Sequence, residues 1–145
     1  MDVRLPVLYM LDTNTVAYIV DGRSKAARLR LAEVPQRFSV VISAITEAEI
    51  RYGLAKKPEA TRLREAMEEF LSKVMVLPWD SDVAHTYGRM RAMMSVRGKT
   101  FSSLDLLIAA HAATVGAVLV TGDRAFQNAE GLYSTVNWAS DLRAT

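Results

Sequence analysis

The stretch Val7–Asn14, VLYMLDTN, constrains this chain most. Its apolar residues, Val7 through Leu11, run without alternation into Asp12-Thr13-Asn14. A short apolar run of that kind is a strand buried on both faces, the central kind in a parallel sheet. In open α/β sheets the ligand crevice lies beyond the carboxyl ends of the strands. Asp12 therefore stands where such proteins keep their chemistry. Asp12 or Thr13 also stands where a side chain N-caps the following helix. On this stretch alone both readings stay open.

Strand and helix signals alternate along the rest of the chain. Thr15–Val20 predicts a helical turn or two, broken at Asp21-Gly22. A short helix carrying Arg23, Lys25, Arg28 and Arg30 follows through Leu29 and Leu31 and ends before Pro35. This densest basic patch is either a solvated helix face or an arm that contacts phosphate. FSVVI, Phe38–Ile42, is rich in β-branched residues and reads as a second strand. Ser43 or Thr46 can cap the helix Ile45–Leu54, with Gly53 marking its end or a bend. Thr46-x-x-Glu49 fits a capping box, which would give Glu49 a structural role. Glu47 is its neighbouring rival as a functional acid.

Pro58 suits a first helical position. Leu63, Met67, Phe70 and Leu71 then mark one face of an amphipathic helix. Val74–Leu77 is a third strand, stopped by Pro78. Asp80 or Ser81 caps a long helix with the apolar stripe Val83, Tyr87, Met90, Met94, and Gly98 is its C-cap. A Met-rich stripe suits core or a subunit interface.

Ser102-Ser103-Leu104-Asp105 opens the next helix. Leu106–Ala113, LLIAAHAA, is apolar on nearly every side, which predicts burial all round. An acid in a first turn is favoured by the helix dipole, by about 0.3–1 kcal/mol. A carboxylate leading a buried helix must also be paired or bound to a cation. His111 points away from Asp105 and reads as an ordinary helix histidine, as does His85. Gly116 ends the helix. Ala117–Val120 is another buried strand, ending in Thr121-Gly122-Asp123. Phe126 packs back after a tight turn, and a final strand, Leu132–Val136, and Trp138 close the fold.

Composition narrows the class. A chain of 145 residues, half of them hydrophobic, is one ordinary domain with a real core, taken as 1–145. With no cysteine there is no disulfide and no thiolate metal site. No apolar run approaches the ~20 residues of a membrane span. The leader Met1–Pro6 has little pattern, and nothing there resembles a signal peptide. A soluble cytoplasmic protein is expected. Net charge is +2 with pI near 9.0, a slight lean toward nucleic acid.

The alternation predicts a parallel sheet with helices on both faces. Two strands end in an acid, Asp12 and Asp123, and two helices carry one near their start, Glu49 and Asp105. In a doubly wound sheet all four can meet at the switch point. Like charges at close range raise one another's pKa, and a divalent cation removes the conflict. An all-oxygen set suits Mg²⁺ or Mn²⁺ rather than zinc. Such clusters do phosphoryl chemistry, which points to a metal-dependent phosphodiesterase or phosphatase.

Four stretches also carry a family resemblance: Leu11-Asp12-Thr13-Asn14; Ile42-Ser43-Ala44-Ile45-Thr46-Glu47-Ala48-Glu49-Ile50-Arg51-Tyr52-Gly53; Asp105-Leu106-Leu107-Ile108-Ala109-Ala110; and Thr121-Gly122-Asp123-Arg124-Ala125-Phe126. In order and spacing, from Leu8 to Trp138, the chain resembles the PIN-domain ribonucleases, specifically the VapC toxins of bacterial and archaeal toxin–antitoxin modules. Leu77-Pro78-Trp79-Asp80 adds to the likeness. The resemblance implies a PIN-like three-layer α/β/α fold with a mostly parallel sheet of about five strands. It selects Glu49 over Glu47 and makes Asp12, Glu49, Asp105 and Asp123 the catalytic, metal-holding acids for Mg²⁺ or Mn²⁺. Asn14 and Thr121 would orient those acids. Ser103 would cap the Asp105 helix or touch RNA, and Arg23, Lys25 and Arg28 are candidate phosphate contacts. The implied activity is endoribonucleolytic cutting of single-stranded RNA, often a tRNA or rRNA loop, by a water that the metal activates for in-line attack. The implied partners are a VapB-type antitoxin and a second copy of the chain, with DNA reached only through the antitoxin.

Two other readings compete. A haloacid-dehalogenase-like phosphatase would use Asp12 as covalent nucleophile. Asn14 replaces its second acid, and Gln127 stands where the acid after Gly122-Asp123 should be. A regulatory PIN protein would act in a DNA-binding complex without cleavage.

Overall fold

The computed structural model describes residues 7–34, 39–99, 102–129 and 131–141. The patternless leader Met1–Pro6, Pro35, and Phe38 of the expected second strand lie outside them. The chain runs β1 (Tyr9–Leu11), α1 (Thr13–Asp21), α2 (Lys25–Glu33), β2 (Val40–Ser43), α3 (Ala44–Ala55), α4 (Thr61–Lys73) and β3 (Met75–Leu77). It continues with α5 (Ser81–Val96), α6 (Ser103–Val115), β4 (Val118–Val120), a 3₁₀ segment over Arg124–Ala129, β5 (Ser134–Val136) and α7 (Trp138–Asp141). Every strand pair is parallel, in the order β3-β2-β1-β4-β5. The expected three-layer α/β/α architecture, with its five-stranded sheet, is what the chain adopts.

The uninterrupted apolar runs are explained by the two cores. Side chains alternate across a strand. Met10, Val41 and Leu119 face one core, shared with Val83, Met90 and Met94 of α5 and Leu106, Ile108 and Ala109 of α6. Leu11, Val40, Ile42 and Val120 face the other, with Val16 and Ile19 of α1, Ile50 of α3, Met67 of α4 and Trp138. Both strand faces are dry, so neither can be polar. Met90 and Met94 of the α5 stripe are thus core residues. Among the described residues no helix is long and apolar enough to cross a membrane.

The order of strands sets the site. From β1 the chain builds outward to β2 and β3, then crosses to β4 on the opposite side of β1. The switch point lies between β1 and β4, at their carboxyl ends.

Several local expectations shift. The first helix is longer than a turn or two, because it starts directly behind Asp12, whose side chain accepts from the Thr15 amide. α3 runs through Gly53 to Ala55. Pro58 falls in the turn before α4. The last strand begins at Ser134, two residues later than expected. α6 is buried through its middle, but Leu104 (45%) and Val115 (38%) are exposed at its ends. Gly98 and Gly116 both adopt positive φ just after their helices, where a β-carbon would strain the turn.

His111 is a core residue, 1% exposed, with Nδ1 2.7 Å from the Ser43 hydroxyl. Burial lowers its pKa below 6.5, against a smaller opposing pull from Asp80. With the ring neutral, Nδ1 and the Ser43 hydroxyl share one hydrogen bond. Between the folded pKa and 6.5 the unfolded chain binds more protons, so stability falls as pH drops through that window. Thermal melts across mildly acidic pH should show this slope, and His111→Gln should flatten it. Trp138, 1% exposed, packs its ring 5.4 Å from that of Tyr9, centroid to centroid. Trp138→Ala should cost about 3–5 kcal/mol in urea unfolding. Trp138→Phe should cost much less, since the indole N–H has no hydrogen-bond partner among the described residues.

Candidate active site

Asp12 follows the last residue of β1 and is 4% exposed. Its amide donates to the Val120 carbonyl at 3.1 Å, which ties the end of β1 to the end of β4. Its Oδ1 accepts from the Thr15 amide at 2.8 Å and caps α1. Capping and function were posed as alternatives, yet the cap uses one oxygen only. No hydrogen bond among the described residues engages Oδ2.

Glu49 lies one turn into α3. The capping-box reading fails, because Ser43 caps the helix through the Ile45 amide. The Thr46 hydroxyl is buried without a hydrogen-bond partner among the described residues. Glu49 Oε1 instead accepts from the Thr13 hydroxyl at 2.7 Å, beside Asp12. Glu47 pairs with Arg51 at 3.4 Å, which separates the two candidate acids by their partners.

Asp105 stands in the first turn of α6. The cap is Ser102, accepting from the Asp105 amide at 3.1 Å, and not Ser103, which is exposed as the first helical residue. Burial pushes the Asp105 carboxyl above its usual range, a hydrogen bond with Ser102 opposes this, and the charges of Asp123 and then Asp12 push it further up. Asp123 and Asp12 thus each lie within electrostatic reach of Asp105.

Asp123 follows β4 and is exposed. Thr121, 5% exposed, accepts the Asp123 amide on its hydroxyl at 3.0 Å and so shapes the loop. Asp123 Oδ1 accepts from the Ala125 amide at 2.9 Å. In Asp12, Glu49 and Asp123 alike, one oxygen is fixed by a local donor and the other has no hydrogen bond among the described residues.

The donor set is all oxygen, and the like-charge strain on Asp105 is what a hard divalent cation relieves. The residues fit such an ion by chemistry. Among the described residues, however, no group of three or more His, Cys, Asp or Glu is drawn in closely enough to hold one. Closing on an ion requires side-chain movement about anchored backbones.

The other expected residues fall elsewhere. The exposed Asn14 makes no hydrogen bond to an acid among the described residues. Arg23 pairs with Asp21 at 2.6 Å and lies over the Tyr18 ring, 4.6 Å from its centroid. Arg28 donates to the Ile19 and Val20 carbonyls at 2.6 and 3.2 Å, satisfying the end of α1. Lys25 is exposed at the start of α2. Sequence reasoning missed Thr13 as the partner of Glu49, although it sits inside the LDTN stretch. It also missed Tyr133, whose hydroxyl donates to the Phe126 carbonyl; burial and the nearby Asp105 charge raise its pKa. No local signal marks a tyrosine that feels the Asp105 charge only through the tertiary fold.

Known proteins resemble this chain over most of its length. Residues 9–132 match the PIN domain. The chain is 35% identical over 136 residues to Ribonuclease VapC2 of Haemophilus influenzae, covering 90% of this chain and 97% of that protein. It is 33% identical over 125 residues to the tRNA(fMet)-specific endonuclease VapC of Salmonella typhimurium, covering 86% and 93%. Its fold matches VapBC2 from Rickettsia felis, solved with a DNA fragment from the promoter, at a TM-score of 0.84, with 27% identity and coverage of 91% and 99%. The chain therefore belongs to the PIN-domain family and, within it, to the VapC group.

Proposed function

We propose that this chain is the toxin of a type II toxin–antitoxin module: a divalent-metal-dependent endoribonuclease that cuts single-stranded RNA. One observation carries the reading. Asp12 and Asp123 stand beyond the carboxyl ends of the adjacent strands β1 and β4, and both load the carboxyl of Asp105 with negative charge. Asp12, Glu49 and Asp105 would hold Mg²⁺ or Mn²⁺, and Asp123 would complete the site. When bound, such an ion lowers the pKa of water and stabilises a leaving oxygen. The chain's own residues do the positioning. Thr13 aims Glu49, the Asp12 backbone ties β1 to β4, and Thr121 shapes the Asp123 loop.

The relatives support RNA as substrate, and the name of the Salmonella protein makes a tRNA loop the first target to examine. The likeness to a VapBC complex on promoter DNA supports a VapB-type antitoxin as partner and DNA contact through that antitoxin. A single domain, a homodimer and a cytoplasmic location belong to the same proposal. The phosphatase and purely regulatory readings draw no support from these relatives.

The test is cleavage of total cellular RNA by purified protein in Mg²⁺, in Mn²⁺ and in EDTA, with Asp12→Asn alongside. A few discrete products, dependent on metal and absent with the variant, are expected. Equal activity in Asp12→Asn overturns the site. Thr13→Val should lower cleavage about 10–100-fold, the usual cost of losing a partner that orients a metal ligand. A carboxyl with a raised pKa in the fold costs stability once ionised, and that cost disappears as pH falls through the folded pKa toward 3.8. Asp105→Asn should therefore raise the melting temperature at neutral pH in EDTA while abolishing cleavage. Mg²⁺ should stabilise the parent protein and leave this variant unmoved.

A further inference from the structure

Beside Asp123 the surface opens into a cleft of about 390 Å³. That lies within the range of about 300–1,000 Å³ typical of small-ligand pockets. Asn14 and Tyr18 stand one turn apart on α1 and form one wall, above the buried Thr15. Gly122 and Asp123, after β4, and Asn137, after β5, form the other. The cleft thus adjoins the switch point that holds the acids.

Its lining selects against a phosphate. It contains no lysine or arginine, and it does contain the Asp123 carboxylate. What it offers is a ring and two amides. Tyr18 is 37% exposed, and the Arg23 guanidinium, paired with Asp21, lies over one face of its ring. The Asn14 amide has no hydrogen-bond partner among the described residues. Asn137 spends Oδ1 on the Ala139 amide, while Nδ2 has no acceptor among them. A β-carbon on Gly122 would stand 3.4 Å from that Nδ2, at ordinary contact distance, so Gly122 and Asn137 adjoin across this wall. A ligand matched to this lining is neutral, planar and edged with donors and acceptors.

We propose that the cleft is a nucleobase subsite: it takes one unpaired base next to the cleaved phosphodiester, stacked on Tyr18, with Asn14 and Asn137 at the base edge. Unpaired bases in RNA are held in this way, by aromatic stacking and edge hydrogen bonds. The inference rests on the nuclease reading but is tested by binding rather than cleavage.

The experiment is fluorescence anisotropy in Mg²⁺ in the Asp105→Asn background. The probes are a labelled single-stranded RNA oligomer of mixed sequence and an abasic ribose-phosphate oligomer of the same length. Adding Tyr18→Ala should weaken the base-bearing oligomer about tenfold, and Tyr18→Phe should stay within about twofold, in line with stacking on an aromatic face. All three proteins should bind the abasic oligomer alike. Equal weakening of both oligomers, no effect of Tyr18→Ala, or no binding of the base-bearing RNA overturns the proposal. Tyr18→Ala weakening an antitoxin peptide and not RNA also overturns it, giving the cleft to a protein partner. If the parent protein fails to cut RNA while the base-dependent pattern holds, the nuclease reading falls and the cleft stands as a base-binding site alone.

Discussion

The site depends on the Val120 carbonyl. It accepts from the Asp12 amide and from the Thr15 hydroxyl, both at 3.1 Å. These bonds lock the end of β1 and the first turn of α1 to the end of β4. They fix the distance between the two strand ends that carry Asp12 and Asp123. The surrounding packing makes the lock firm, since Leu11 and Val120 are wholly buried on the same face. A slip of one residue in this register would send those side chains to the opposite core and separate the acids.

Against that rigid frame stands an electrostatic conflict. A carboxylate on a largely buried helix, facing two others, is a poor choice for stability. The fold tolerates it by supplying a donor to each neighbouring acid: a helix amide to Asp12, a hydroxyl to Glu49 and a turn amide to Asp123. Functional sites commonly keep such local strain, which the rest of the core must offset. Here the two apolar cores carry that load.

The sheet was legible because its signal is dense. VLYMLDTN and AVLV are apolar on every residue that reaches a strand, and only a doubly covered sheet accepts that pattern. The acids were singled out in a different way. Their placement at strand ends and helix starts raised them as candidates, and the family resemblance chose Glu49 over Glu47. Boundaries were less legible. Ser102 and Ser103 are chemically alike, and backbone geometry decided which one caps α6. Gly53 costs its helix little enough for packing by Ile50 and Leu54 to carry the turn through. The Thr13–Glu49 bond spans thirty-six positions, and the influence of the Asp105 charge on Tyr133 is tertiary as well. No periodicity encodes such pairs.

The placement of β1 has a consequence for synthesis. Its partner β2 follows soon after it, but its partner β4 is not made until residues 118–120. Until that late strand leaves the ribosome, one flank of β1 stays bare, and Asp123 is not yet present beside it. Non-local pairing of this kind is slow and comes last. A growing chain can form β1, β2 and β3 with their helices and still hold no complete acidic cluster. The topology thus leaves the candidate acids at the ends of β1 and β4 apart until β4 has been made.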